Sequence, residues 1–175
     1  MVAFNALGTT IVTDPELELA VQRFLFDEAL CLDDRRWSDW LAHYAEDAVF
    51  IMPTWANNSQ LTTDPDEQVQ LIYLASRAEM EDRVFRIESG TSMASTPAAR
   101  TCHLVTNVMT TQIETFSIKA RANWTVHTLT QAKRYLRSGY YNYILRREGD
   151  QLQIIRKHVT LLDHRIEGPI DIYNV

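Results

Sequence analysis

Phe116-Ser117-Ile118-Lys119-Ala120-Arg121-Ala122-Asn123-Trp124-Thr125-Val126-His127 alternates apolar and polar side chains without a break. That period of two is the pattern of a long strand with one buried face. The stretches Thr101 to Glu114, Arg134 to Arg147 and Gln151 to Asp163 are similarly long and rich in β-branched and aromatic residues, and Glu148-Gly149-Asp150 offers a hairpin turn. The second half of the chain is expected to be an antiparallel sheet.

The first half has a different period. Asp14-Pro15-Glu16 sets an N-cap residue, a proline preorganised for the first helical position and an acid in order. A helix is predicted from there to about Leu32, with Leu17, Val21, Phe24, Leu25 and Ala29 on one apolar stripe. Asp33-Asp34 offers a second N-cap, followed by Trp37, Trp40, Leu41 and Tyr44 at helical spacing. Ala48 to Met52, closed by Pro53, reads as a strand, and Thr54 to Thr63 as a loop. Asp64-Pro65-Asp66-Glu67 predicts a third helix ending near Asp82, with Val69, Ile72, Tyr73, Ser76 and Met80 on a common face. Ser89 to Ala99 reads as a connection. Helices first and long strands afterwards specify an α+β domain whose helices cover one face of a strongly curved sheet. One domain over residues 14–175 is expected behind a short arm, residues 1–13.

The 175 residues include 17 Lys or Arg and 23 Asp or Glu, for a net charge of −6, and 46% are apolar. A chain of this size buries roughly 70% of its unfolded surface and needs neither disulfides nor a structural metal to fold. The acidic balance and dispersed basic residues argue against nucleic acid as a partner. No apolar run approaches the ~20 residues of a membrane helix. Met1 to Thr13 carries no Lys or Arg and no sustained apolar core, so a cytoplasmic location is expected. Cys31 and Cys102, each alone, read as two buried thiols in a reducing compartment, although their pairing stays open.

Five histidines, at positions 43, 103, 127, 158 and 164, are the first candidates for proton or metal chemistry. Two isolated cysteines cannot supply the paired Cys and His ligands of a Rieske cluster. His158, Asp163 and His164 have the residue types of a non-haem iron triad, but strand alternation sets His158 and Asp163 on opposite faces. His103 and Asn107 are expected to point the same way as Val105. An Asp33 or Asp34 carboxylate beside His103 would form an acid/base pair able to abstract a proton next to a carbonyl or assist a dehydration. The competing reading is a buried histidine satisfied by its neighbours. Tyr135, Tyr140, Tyr141 and Tyr143 suit an aromatic pocket, but aromatics on a half-buried sheet more often serve a core or an interface. No P-loop, glycine-rich phosphate loop or G-x-S-x-G elbow occurs.

FLFDEALCLDDRRWSDWLAHYAEDAVFIMP, from Phe24 to Pro53, resembles the opening of the small (β) subunits of aromatic-ring-hydroxylating dioxygenases. RTCHLVTNV from Arg100 is similar to that family's R-x-x-H-L-V-x-N-V segment, and GYYNYILRR from Gly139 to its G-x-Y-x-x-x-L-R-R strand. IRKHVTLLD from Ile155 resembles the closing strand, with His158 where the family favours arginine. Together these motifs cover about residues 16 to 165. The resemblance implies a cone like that of nuclear transport factor 2 (the cystatin-like class), the fold of ketosteroid isomerases and scytalone dehydratases. It implies a non-catalytic chain with no cofactor or metal of its own. Its partner would be a large (α) subunit holding a Rieske 2Fe-2S cluster and a mononuclear non-haem iron(II), with electrons from NAD(P)H through a reductase. The small subunits would form a trimeric base in an α3β3 assembly. The stretch Ile170 to Val175 is similar to benzoate- or salicylate-type members. The alternative is a stand-alone enzyme of the same fold using His103 with Asp33 or Asp34; a deep pocket would favour it.

Overall fold

The computed structural model describes residues 2–4, 10–12, 14–91, 98–114 and 116–175. β1 (Val2–Phe4) pairs antiparallel with β2 (Thr10–Val12), so part of the expected arm forms a two-stranded sheet. α1 (Pro15–Asp33) begins as expected, the Asp14 carboxylate accepting hydrogen bonds from the backbone N–H groups of Glu16 and Leu17. Its buried face is Leu17, Val21, Leu25, Glu28 and Leu32. α2 (Trp37–Ala42) buries Trp37, Trp40 and Leu41. The expected cap by Asp33-Asp34 does not form: Arg36 is the N-cap residue and makes no side-chain cap bond. Arg35 has φ 56°, and both aspartates belong to the end of α1.

β3 (Tyr44–Pro53) is longer than the apolar run suggested and takes Tyr44 out of the second helix. β4 (Gln70–Leu74) and α3 (Arg77–Glu88) correct the reading of Asp64 to Asp82 as one helix. Asp64-Pro65 starts only a turn, closed by the Gln68 N–H on the Asp64 carbonyl. The true helix signal is Ser76-x-x-Glu79. The Ser76 hydroxyl accepts from the Glu79 N–H while the Glu79 carboxylate accepts from the Ala75 N–H, a reciprocal cap one residue displaced from the usual box. The residues before it are left to the sheet edge, where Gln70, Ile72, Tyr73 and Leu74 pair with β3. Of the expected connection, residues 92–97 lie outside the described residues.

β5 (Arg100–Glu114), β6 (Ser117–Leu129), β7 (Arg134–Glu148) and β8 (Gln151–Leu161) form a continuous antiparallel meander. The six-stranded sheet runs β4-β3-β8-β7-β6-β5, and β3 joins β8 in parallel, the one exception to the expected antiparallel order among the described residues. Register shifts bend it at several points, among them an extra residue near Asn107 in β5, where φ is 52°, and another at Ile155 in β8. β6 alternates as read, burying Ile118, Ala120, Ala122, Trp124 and Val126. α1 packs against β5 and α3 against β3, with α2 between them. The segment after β8 then returns to the core, burying Ile172, Tyr173 and Val175. Arg137 holds it by donating to the Glu167 carbonyl at 2.7 Å and the Pro169 carbonyl at 3.1 Å, and Arg83 Nε lies 2.7 Å from Asp171 Oδ1.

Candidate functional site

At the centre, between α1 and the sheet, Glu28 meets Lys157. Both side chains are 1% exposed. Lys157 Nζ donates to the two carboxylate oxygens at 2.8 and 3.0 Å, Trp40 Nε1 donates at 2.8 Å and the Tyr44 hydroxyl at 2.7 Å. The ammonium also lies 4.3 Å from the Tyr141 ring centroid. Burial by itself would raise the Glu28 carboxyl, but the Lys157 charge and the bonds from Lys157, Tyr44 and Trp40 outweigh it and hold the group below its ordinary value. Burial acts the other way on Lys157, drawing its ammonium below the ordinary lysine value against the pull of Glu28. Tyr141 and Tyr143 are buried beside the pair, Tyr141 stacked on Trp124 at 5.4 Å. Large buried side chains therefore occupy the centre of the cone, with Glu28 and Lys157 paired among them.

His103 sits elsewhere, between β5 and the end of α1. Of the two aspartates considered, Asp33 is the partner: its Oδ1 lies 2.6 Å from His103 Nδ1, and its Oδ2 accepts the His103 backbone N–H at 2.8 Å. Burial pushes the Asp33 carboxyl up, and the His103 contacts more than reverse this, leaving it below the ordinary value. Asp34 is exposed and lies 3.7 Å from Arg36 Nε instead. The His103 ring is 1% exposed, and among the described residues Nε2 has no hydrogen-bond partner. A cavity of about 330 Å3 adjoins it, lined by Phe26, Leu30, Asp33 and Leu104 among others. Phe26, Leu30 and Leu104 are themselves exposed, so this is a surface depression and no deep pocket. Val105 shares the lining, but Asn107 does not point with it, because the β5 bulge breaks the alternation.

The other expected residues divide between core and surface. Tyr141 and Tyr143 are core, Tyr140 lies beneath the Arg121 guanidinium at 4.3 Å, and Tyr135 packs near Arg137 at 5.4 Å. His158 is half-buried within β8, while Asp163 and His164 are exposed beyond its end, so the strand end does not gather the three into an iron triad. Both cysteines are free; Cys31 is buried, but Cys102, read as buried, is exposed. These donors do not fit a Rieske cluster, whose four ligands must converge on one pair of irons. Burial and the nearby Asp27 charge push the Cys31 thiol up to about 11, so without a bound cation it is a neutral thiol at neutral pH. One grouping the sequence reading missed is Asp27, Cys31 and His43, whose donor atoms all lie within 4.8 Å of one another.

The family model described as "Ring hydroxylating beta subunit" matches residues 27–168. The chain belongs to that family. It is 42% identical over 160 residues to the 2-halobenzoate 1,2-dioxygenase small subunit of Burkholderia cepacia, covering 90% of this chain and 95% of that one. It is 38% identical over 155 residues to the benzoate 1,2-dioxygenase subunit beta of Acinetobacter baylyi, covering 89% and 92%. The crystal structure of the beta subunit of a Burkholderia mallei benzoate 1,2-dioxygenase superposes with a TM-score of 0.73 at 30% identity, covering all of both chains. A scytalone dehydratase-like chain from Novosphingobium aromaticivorans, at 16% identity and a TM-score of 0.62, shares the fold alone. The family's beta-subunit architecture is thus the α+β, nuclear transport factor 2-like cone expected from the motifs.

Proposed function

We propose that this chain is the non-catalytic, structural small subunit of the terminal oxygenase component of an aromatic-ring-hydroxylating dioxygenase. The observation that carries this reading is the filled cone. Glu28, Lys157, Trp40, Tyr44, Tyr141 and Tyr143 occupy the interior where an enzyme of this fold would need space for substrate. A large subunit then supplies the Rieske cluster, the mononuclear iron and the substrate pocket, with electrons from NAD(P)H through a reductase, in the cytoplasm. Its substrate class is an aromatic carboxylate, supported by the benzoate-type relatives and by the resemblance of Ile170 to Val175 to benzoate- or salicylate-type members. Self-association into a trimer within α3β3 is supported by the apolar side chains left outside. Leu19, Phe26 and Leu30 recur along one side of α1, and Leu104 lies beside Leu30 on β5.

The His103–Asp33 pair favours a second reading, in which the unpaired Nε2 is the base of a stand-alone isomerase or dehydratase. The two are separated by co-expressing the chain with a Rieske-type large subunit and measuring size by light scattering and iron by metal analysis. The structural reading predicts a trimer of the chain alone, a hexamer with the large subunit, and iron confined to the hexamer. A chain that stays monomeric at high concentration and ignores the large subunit would overturn it.

A further inference from the structure

Asp27 and Cys31 stand one helical turn apart on the same side of α1, and His43, the C-cap residue of α2, closes over them. The contacts of His43 set the chemistry. Its Nδ1 lies 2.8 Å from the Asp39 backbone carbonyl, which can only accept, so that nitrogen carries a proton and donates it. In the neutral ring Nε2 is then a lone pair, and it faces Asp27 Oδ2 at 3.4 Å. Two acceptors confront each other, with the Cys31 sulfur inside the same 4.8 Å group. A proton on Nε2 would satisfy two of the three; a metal ion would satisfy all of them.

We propose that Asp27 Oδ2, Cys31 Sγ and His43 Nε2 form a binding site for a divalent transition-metal ion of the zinc class, with water as fourth ligand. One oxygen, one sulfur and one imidazole nitrogen are the mixed donor set that Zn2+ accepts in tetrahedral geometry. The surrounding contacts are those that aim metal ligands. The Asp39 carbonyl fixes the His43 tautomer and ring direction. Arg36 holds the other Asp27 oxygen, Oδ1, at 3.2 Å while its NH1 bonds Asp39 Oδ2 at 2.9 Å, so Oδ2 is left for the ion. The Phe24 ring, 4.9 Å from that of His43, walls one side. On binding, the Cys31 S–H bond breaks, its proton leaves to solvent and a metal–sulfur bond forms, with no change in oxidation state. The bound ion pins the end of α2 to the C-terminal half of α1 and takes no part in the redox chemistry assigned to the large subunit.

Cobalt(II) titration of the full metal-free chain tests the site, because a thiolate ligand gives a near-ultraviolet charge-transfer band that oxygen and nitrogen ligands do not. The expected result is saturation at one equivalent with that band, displacement by one equivalent of zinc, loss of the band in Cys31→Ser, and affinity weakened by about 10–100-fold in Asp27→Asn. His164→Ala, remote from the site, leaves the titration unchanged. Asp27 is exposed, so Asp27→Asn keeps the test valid even where Cys31→Ser fails to fold. A titration without the band, or a band that survives Cys31→Ser, or an affinity indifferent to Asp27→Asn, would overturn the proposal.

Discussion

Lys157 is fully buried and its ammonium has the Glu28 carboxylate as its ionic partner. Removing one member of such a pair leaves the other charge stranded in the interior, and the expected cost is about 3–5 kcal/mol. Lys157→Met, measured by urea unfolding, should show a loss in that range, because methionine matches the length of the side chain while Glu28 keeps only its neutral donors. A loss below about 1 kcal/mol would mean that Glu28 does not carry its charge into the core. Both residues were legible in phase though not in kind. Lys157 alternates with the buried Val159 and Leu161, and Glu28 sits in the helical stripe between Leu25 and Leu32. Apolar periodicity skips charged residues by construction, so the pattern passed over the ion pair at the centre of the core. Asp33 and Asp34 were indistinguishable in sequence, since only the direction of the last turn of α1 separates the His103 clamp from solvent.

The long strands of the second half were readable because each has one buried face and nothing competes with the alternation. The bulges were not: one extra residue at Asn107 and one at Ile155 change the phase without changing composition. The region before α3 failed for another reason. Val69, Ile72 and Tyr73 fit a helical face by chance of spacing, while the reciprocal Ser76–Glu79 cap fixed the helix start later and gave the preceding residues to the sheet edge. Gly139 offers a sharp test of the β7–β8 register. A Cβ there would lie 1.8 Å from the Thr160 carbonyl oxygen and 3.0 Å from the Trp124 ring. Backbone, unlike a flexible side chain, cannot step aside without breaking the ladder, so Gly139→Ala should destabilise by about 1–3 kcal/mol or more. Thermal melting would measure it, and an unchanged melting temperature would contradict the close approach of the two strands.

For the whole molecule, pH dependence follows from the two carboxylates held below their ordinary range, Glu28 and Asp33. Each has a folded pKa lower than its unfolded value of about 4, so its stabilising contribution is complete above that value and is lost as pH falls through the folded one. The urea midpoint should therefore drop steeply below about pH 4, after a shallower decline below about pH 6.5, where the unfolded chain takes up a proton that His158, held below its ordinary value by burial and the Arg156 charge, resists in the fold. A Glu28→Gln variant should lose part of that acid dependence, and an unchanged slope would show that Glu28 contributes none of it.

The subunit reading rests on chemistry taking place outside this chain, and His103 is the residue best placed to contradict it. As a clamp, it ties β5 to the end of α1 through Asp33, and His103→Ala should leave the Asp33 carboxylate half-satisfied at a cost of roughly 1–3 kcal/mol. As a general base, its loss would cut turnover by about 10²–10⁴ in protein that folds and assembles normally. The deciding measurement is turnover of the co-expressed complex carrying His103→Ala, normalised to large-subunit iron and checked for intact size. A structural subunit predicts lower yield with specific activity within a few fold of the parent; a loss of about a hundredfold at intact assembly and iron content would place a catalytic base in this chain.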